Sequence, residues 1–168
     1  MVGLRPDPLL LAKRLGRERP SAAVVTHRTD GNGVATGMIA LALSHATMVA
    51  VMAMTPVHLV HHGATLAVVG FVISLHVLGM YVLSPVWGAL ADRLGREAVI
   101  GIGQTLLLAA LLALAAGAES ELWVTVGLTM IGLGWSASTV AGSALVSDSV
   151  GIDVRAKVQG RSDLLMSA

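Results

Sequence analysis

Apolar residues fill long stretches of this chain, and charged residues mark the ends of those stretches. From Gly31 to Ala91, 61 residues pass without one Asp, Glu, Lys or Arg. Ala98–Ala118 (21 residues) and Leu122–Ser147 (26 residues) continue in the same style. A helix that crosses a bilayer needs about 20 mostly apolar residues. The long run therefore predicts two spans, about Gly37–Val60 and Ala64–Trp87, with His61-His62-Gly63 as a tight turn between them. The other runs predict a third span at about Ala98–Ala116 and a fourth at about Leu122–Ser147. The expected fold class is an all-α integral membrane protein with four transmembrane helices. Asp163-Leu-Leu-Met-Ser-Ala168 reads as the start of a fifth, truncated helix. The chain then divides into a linker-like cytosolic segment (1–36), a transmembrane region (37–147) and a cytosolic loop with that helix start (148–168). Within the first segment, Asp7 before Pro8 predicts a capped short helix through Leu15.

Composition agrees with this picture and narrows it. Hydrophobic residues make up 55% of the chain and charged ones 12%, with a mean hydropathy of +0.79. A soluble domain averages about 25% charged residues, so an ordinary soluble enzyme is excluded. There is no cysteine, hence no disulfide framework and no thiolate metal site. Five aromatics (Phe71, Tyr81, Trp87, Trp123, Trp135) and a net charge of +1 argue against a nucleic-acid partner. Leu9–Ala12 is too short for the apolar core of a signal peptide, which takes about 7–15 residues.

Orientation follows from Lys and Arg alone. Six lie in the N-terminal segment, two (Arg93, Arg96) after the second span and three (Arg155, Lys157, Arg161) after the fourth. The other two connections hold none. Basic residues favour the cytoplasmic side, so both termini are expected in the cytoplasm of a multi-pass cell-membrane protein. Trp87 and Trp123 are expected as interface anchors on opposite sides.

The stretch Ser84–Glu97 carries the most specific signal. Gly88, Asp92, Arg93, Gly95 and Arg96 fit the pattern G-x-x-x-D-[RK]-x-G-[RK]-[RK], which resembles the signature cytoplasmic loop of the major facilitator superfamily. Glu97 departs from the final basic position. Gly88 is expected to admit a neighbouring helix, Gly95 to permit a sharp reversal, and Asp92 to face a helix N-terminus. The resemblance implies two six-helix halves, each with this loop after its second helix, working by alternating access. The chain then corresponds to four helices of one six-helix half-bundle plus the start of a fifth. The fourth span lacks the embedded Arg often found in first halves, and the basic lead-in resembles a linker between halves, so the second half is favoured. The expected function is secondary active transport of a small solute, not enzymatic, with the bilayer and the remaining transporter helices as partners and no cofactor. A first-half fragment, a non-transporting membrane scaffold and a membrane-embedded enzyme are the alternatives.

Polar residues inside the spans supply the candidate cavity lining. On a helical wheel Ser44, Thr47, Thr55 and His58 form one stripe, either lining a cavity or hydrogen-bonding between helices, interrupted by Pro56, which frees the Met52 carbonyl and is expected to kink the helix. In the fourth span Gly132, Ser136, Thr139 and Ser143 form one small or polar line, and Gly127, Gly134 and Ser138 another nearly opposite. Ser136 and Thr139 are therefore either lining residues or close-packing contacts. His76, near the middle of the second span, is an intramembrane ionisable group and so a site candidate, with His45 a weaker case. His58, His61 and His62 have helical spacing but no carboxylate or thiolate nearby, so no metal site is expected. Two lookalikes fail on context. Gly132–Ala137 matches G-x-G-x-x-A, yet the helix it would open shows no charged face, and Gly134–Ser138 misses the nucleophile elbow at its last position.

With no native cysteine, single Cys probes read topology without background. A Cys at Ala118 is expected to react with an impermeant thiol reagent outside intact cells, and one at Leu94 is not. The reverse pattern would overturn the orientation.

Overall fold

The computed structural model describes residues 30–167. The proposed short helix at Pro8–Leu15 and the six basic residues of the N-terminal segment lie outside the described residues. The helices are α1 (Gly31–His61), α2 (Leu66–Tyr81), α3 (Ser84–Leu94), α4 (Arg96–Ala116), α5 (Glu121–Asp148) and α6 (Ile152–Ser167). Four stretches are long and apolar enough to cross a membrane: α1, α2 with α3, α4, and α5.

The boundaries follow local chemistry. α1 begins six residues before the expected span, because the Asp30 carboxylate caps it by accepting from the Asn32 amide (3.2 Å). It runs unbroken through Pro56, and Thr55 Oγ1 beside it donates to the Val51 carbonyl (2.7 Å). Thr65 caps α2 through the Val68 amide (3.4 Å). The second span is not one continuous helix as expected. It breaks at residues 82–83, and Pro85 opens α3. Pro85 has no N–H to offer the Tyr81 carbonyl, so the ladder loses a rung there. The Ser84 hydroxyl meets the preceding carbonyl, donating to Met80 (3.1 Å). α3 then continues to Leu94, which leaves Trp87 well inside the helix. Trp87 packs against the buried cluster of Ala40, Ala91, Val99, Ile100, Ala137 and Ala141 rather than at a membrane edge. The C-terminal helix also starts earlier than expected, at Ile152 instead of near Asp163.

α5 is the central element. It packs against α1, α2 and α4, while α1 and α2 meet only sparingly. Some 56% of its apolar window is buried, against 22–28% for the other spans. Small residues make this possible. A Cβ at Gly132 would run into the His76 carbonyl, and one at Gly134 would come within 2.8 Å of the Gly103 carbonyl. Both small-residue lines of the fourth span are thus packed, one on α2 and the other on α4. Gln104 adds a polar cross-tie, donating from Nε2 to Ser138 Oγ (3.1 Å) and to the Ala40 carbonyl (3.3 Å). Outward-facing side chains such as Leu66, Leu112 and Leu122 are large and apolar, as lipid contact requires.

The ends of α1 are pinned on both sides. The Asp30 amide donates to the Ser149 carbonyl (3.0 Å), and His58 Nε2 donates to the Ala118 carbonyl (2.6 Å).

Two glycines one turn-fraction apart on α4 test the packing. A Cβ at Gly101 meets nothing within 4 Å, whereas one at Gly103 would come within 2.8 Å of the Ser138 backbone nitrogen. Gly101→Ala is expected to stabilise the helix by about 0.5–1 kcal/mol. Gly103→Ala is expected to destabilise the bundle by about 1–3 kcal/mol. Denaturant titration in detergent checks this, and equal effects would refute the close α4–α5 contact.

Candidate functional site

Two places gather chemistry. The first is the reversal between α3 and α4. Gly95 sits there at φ +95° and ψ 153°, a region that only glycine enters without strain. It sets Asp92, in the last turn of α3, beside Arg96, the first residue of α4. Arg96 Nη1 donates to Asp92 Oδ1 (2.5 Å), and Arg96 Nε donates to Asp148 Oδ2 at the end of α5 (3.3 Å). One guanidinium therefore joins the ends of three helices. Asp92 engages Arg96 and not a helix N-terminus among the described residues. Arg93 is exposed. Glu97 lies in the first turn of α4, where its charge complements the positive end of the helix, so its departure from the basic pattern has a local reason. A Cβ at Gly88 would sit 4.0 Å from Val140, an ordinary contact, so this glycine is not demanded by close approach. Asp148 is the partner that the motif alone does not reveal. Its signal in the sequence is positional: it is the first charge after the uncharged run of the fourth span, on the membrane face expected for the loop.

The second place is the middle of the bundle. The expected stripe on α1 is not one open face. Ser44 is fully buried, its hydroxyl donating to the Leu41 carbonyl (3.0 Å), and Thr55 is buried too. Their hydroxyls bond within their own helix, which lets that face pack on its neighbours. Thr47 is half-buried. Thr55 and His58 line a shallow pocket of about 250 Å³ between α1, α4 and α5, with Val51, Met54 and Leu114 among its walls. Ser136 is buried, with Oγ 3.2 Å from Ser84 Oγ at the break in the second span. Thr139 is half-buried, and its Oγ1 has no partner among the described residues.

His76 is buried, and its Nδ1 donates to the Leu128 carbonyl of α5 (2.7 Å), while Nε2 has no partner among the described residues. Leu128 O accepts only, which fixes the proton of the neutral ring on Nδ1. Three residues not counted among the main lining candidates form a ring cluster: Trp135 Nε1 donates to His45 Nδ1 (3.4 Å), and the ring centroids of Tyr81 and Trp135 lie 6.3 Å apart, edge to face. No three His, Cys, Asp or Glu side chains gather to hold a metal among the described residues.

Four stretches long and apolar enough to cross a membrane, a glycine reversal braced by an ion-paired arginine, and polar ties from α5 to α1, α2 and α4 define a multi-pass helical membrane protein. The sequence model of the Major Facilitator Superfamily matches residues 37–168, and the chain belongs to that family. Its relatives are transporters, not enzymes. It is 42% identical to the uncharacterized MFS-type transporter YdeG of Bacillus subtilis (strain 168), over 99% of this chain and 40% of that protein. It is 37% identical to the uncharacterized MFS-type transporter YddS of the same organism, with the same two coverages. With the riboflavin transporter RfnT of Brucella anthropi the identity is 29%, over 99% of this chain and 43% of the relative. The chain thus spans about two fifths of the length of the curated relatives it matches. No solved structure matches it.

The three-way ion pair yields a coupling prediction. Arg96→Ala is expected to lower stability in detergent by about 0.2–1 kcal/mol, given how exposed both carboxylates are. Asp148→Ala is expected to cost little more in that background. Full additivity in the double-mutant cycle would show that the pair carries no coupling.

Proposed function

We propose that this chain forms four helices of one half of a secondary transporter that moves a small solute across the cell membrane by alternating access. The observation that carries the reading is the hinge at Gly95 with Arg96 held between Asp92 and Asp148. It is a reversible electrostatic brace at the membrane face where all the Lys and Arg fall, suited to an element that must exist in two arrangements. Family membership and the small-residue contacts of α5 support it, because a bundle that moves as a unit needs tight internal packing. Both termini face the cytoplasm in this reading, as the distribution of Lys and Arg requires. The absence of an embedded Arg in the fourth span and the basic lead-in support placement in the second half of the transporter.

The solute is a small organic molecule. One relative is named for riboflavin transport, which fits a pathway without an embedded carboxylate. The solute path runs beside Ser136, Thr139 and His76. Ser44 and Thr55 serve packing, and Arg93 stays free to meet the opposite half. The remaining helices are the necessary partner, since alternating access rocks one bundle against another around a shared site.

The purified 168-residue chain in liposomes is expected to show no saturable uptake of any solute in a broad labelled panel. Grafted into YdeG in place of the matched stretch, it is expected to support saturable uptake of at least one of them. Uptake by the isolated chain would overturn the partial-bundle reading. A correctly inserted graft that moves nothing would overturn transport itself.

A further inference from the structure

The ring cluster of His45, Tyr81 and Trp135 lies at one depth. The three spans that carry it run over Gly31–His61, Leu66–Leu94 and Glu121–Asp148, so each ring stands within about one residue of the middle of its span. Tyrosine and tryptophan ordinarily collect at the membrane interfaces, where their polar tips meet water. Here they sit at the centre. Tyr81 is 61% exposed, and its hydroxyl has no hydrogen-bond partner among the described residues. Against hydrocarbon such a hydroxyl would be left unsatisfied at a cost of several kcal/mol. The face that carries it therefore opens on a polar path or on protein, and not on lipid tails.

The polar ends of the cluster are also specific. Trp135 Nε1 donates to His45 Nδ1, so the neutral imidazole carries its proton on Nε2, and that nitrogen has no partner among the described residues. Tyr81 O–H can donate or accept. One helical turn along α5 from Trp135, Thr139 Oγ1 is buried and unpartnered as well. The break at residues 82–83 follows Tyr81 directly, and discontinuous helices at the midplane are where transporters of several folds bind solute. On α5, α4 packs against Gly134 and Ser138, on the side away from Ser136 and Thr139.

The geometry points to a binding site for a planar heteroaromatic solute at this depth, face to one of the Trp135 and Tyr81 rings and edge to the other, and hydrogen-bonded through its carbonyl oxygens or ring nitrogens to His45 Nε2–H and Tyr81 O–H. The inference deepens the transport reading and rests on it for the direction of solute movement, but not for binding. A conjugated ring system gains from stacking on one ring and edge contact with the other. A sugar or an amino acid of equal size does not, and a bare hydrocarbon leaves the donors unmet.

The test is fluorine NMR on the whole chain in lipid nanodiscs, with 5-fluorotryptophan at Trp87, Trp123 and Trp135 and each resonance assigned by a Trp→Phe exchange. Lumichrome, a flat tricycle with two carbonyls, is the probe, with naphthalene and sucrose as controls. Lumichrome is expected to shift the Trp135 resonance saturably and leave the Trp123 resonance in place. Tyr81→Ala and His45→Ala are each expected to weaken binding about tenfold, while Tyr81→Phe keeps the ring contact and loses only the hydroxyl contribution. Naphthalene is expected to bind more weakly and sucrose not at all. A non-saturable shift of all three resonances, or binding unmoved by Tyr81→Ala, would overturn the site. Saturable binding by a chain whose YdeG graft moves nothing would instead sink transport and leave the site standing. Uptake by the graft of sugars alone, with no lumichrome binding, would sink the site and leave transport.

Discussion

In a bilayer the hydrophobic effect does not draw one helix to another, because lipid tails are as apolar as leucine. What holds this bundle together is the approach of backbone to backbone along α5. Gly132 lies against the carbonyl of His76, Gly134 and Ser138 lie against Gly103, and Gly142 lies against Gly37. Each contact trades a side chain for dispersion contact between main chains, and it lets a carbonyl or hydroxyl reach across. The Gln104 bridge to Ala40 and Ser138, and the His76 bond to Leu128, form only because the helices are this close. Removing the small residues would lose the polar ties along with the packing. The arrangement also explains why α1 and α2 can lie apart. Both are held by α5, and the gap between them needs no filling from within the four helices.

The brace at the Gly95 reversal belongs to a different regime. The two carboxylates are largely exposed and Arg96 is partly so, and the attraction is screened and individually weak. Weakness suits the place. A strong buried pair would lock the reversal at Gly95 in one geometry, whereas an exposed one can be remade when a competing charge arrives. The bundle interior is closely packed, and its end is held by weak, partly exposed pairs.

Much of the fold was legible from hydrophobic runs alone. The four crossings, the order of helices and the close packing on both sides of the fourth span all follow from where charge is missing and where glycine and serine recur. The break after Tyr81 was harder to see, since Pro85 sits in a run too apolar to look interrupted. The stripe on α1 was only partly legible, because a helical wheel shows that Ser44 and Thr55 share a face, not that their hydroxyls bond to the preceding turn. The ring cluster was hidden for the opposite reason. His45, Tyr81 and Trp135 come from three separate spans, and only their common depth, counted from the span ends, links them. Asp148 could have been paired with Arg96 by the same counting.

The tie between Asp30 and Ser149 joins the residue that caps α1 to the residue that follows α5. Together with the sparse contact between α1 and α2, it orders events during synthesis. Spans one to three leave the ribosome with few native neighbours among themselves, and the helix that binds them all is made after them. Until α5 enters the membrane, the first three spans are a loose group whose buried histidine and serines have yet to meet their partners. The chain is therefore most exposed to quality-control proteases and to wrong pairing until α5 has been made, and a pause in translation just before residue 121 would lengthen that period more than a pause anywhere earlier.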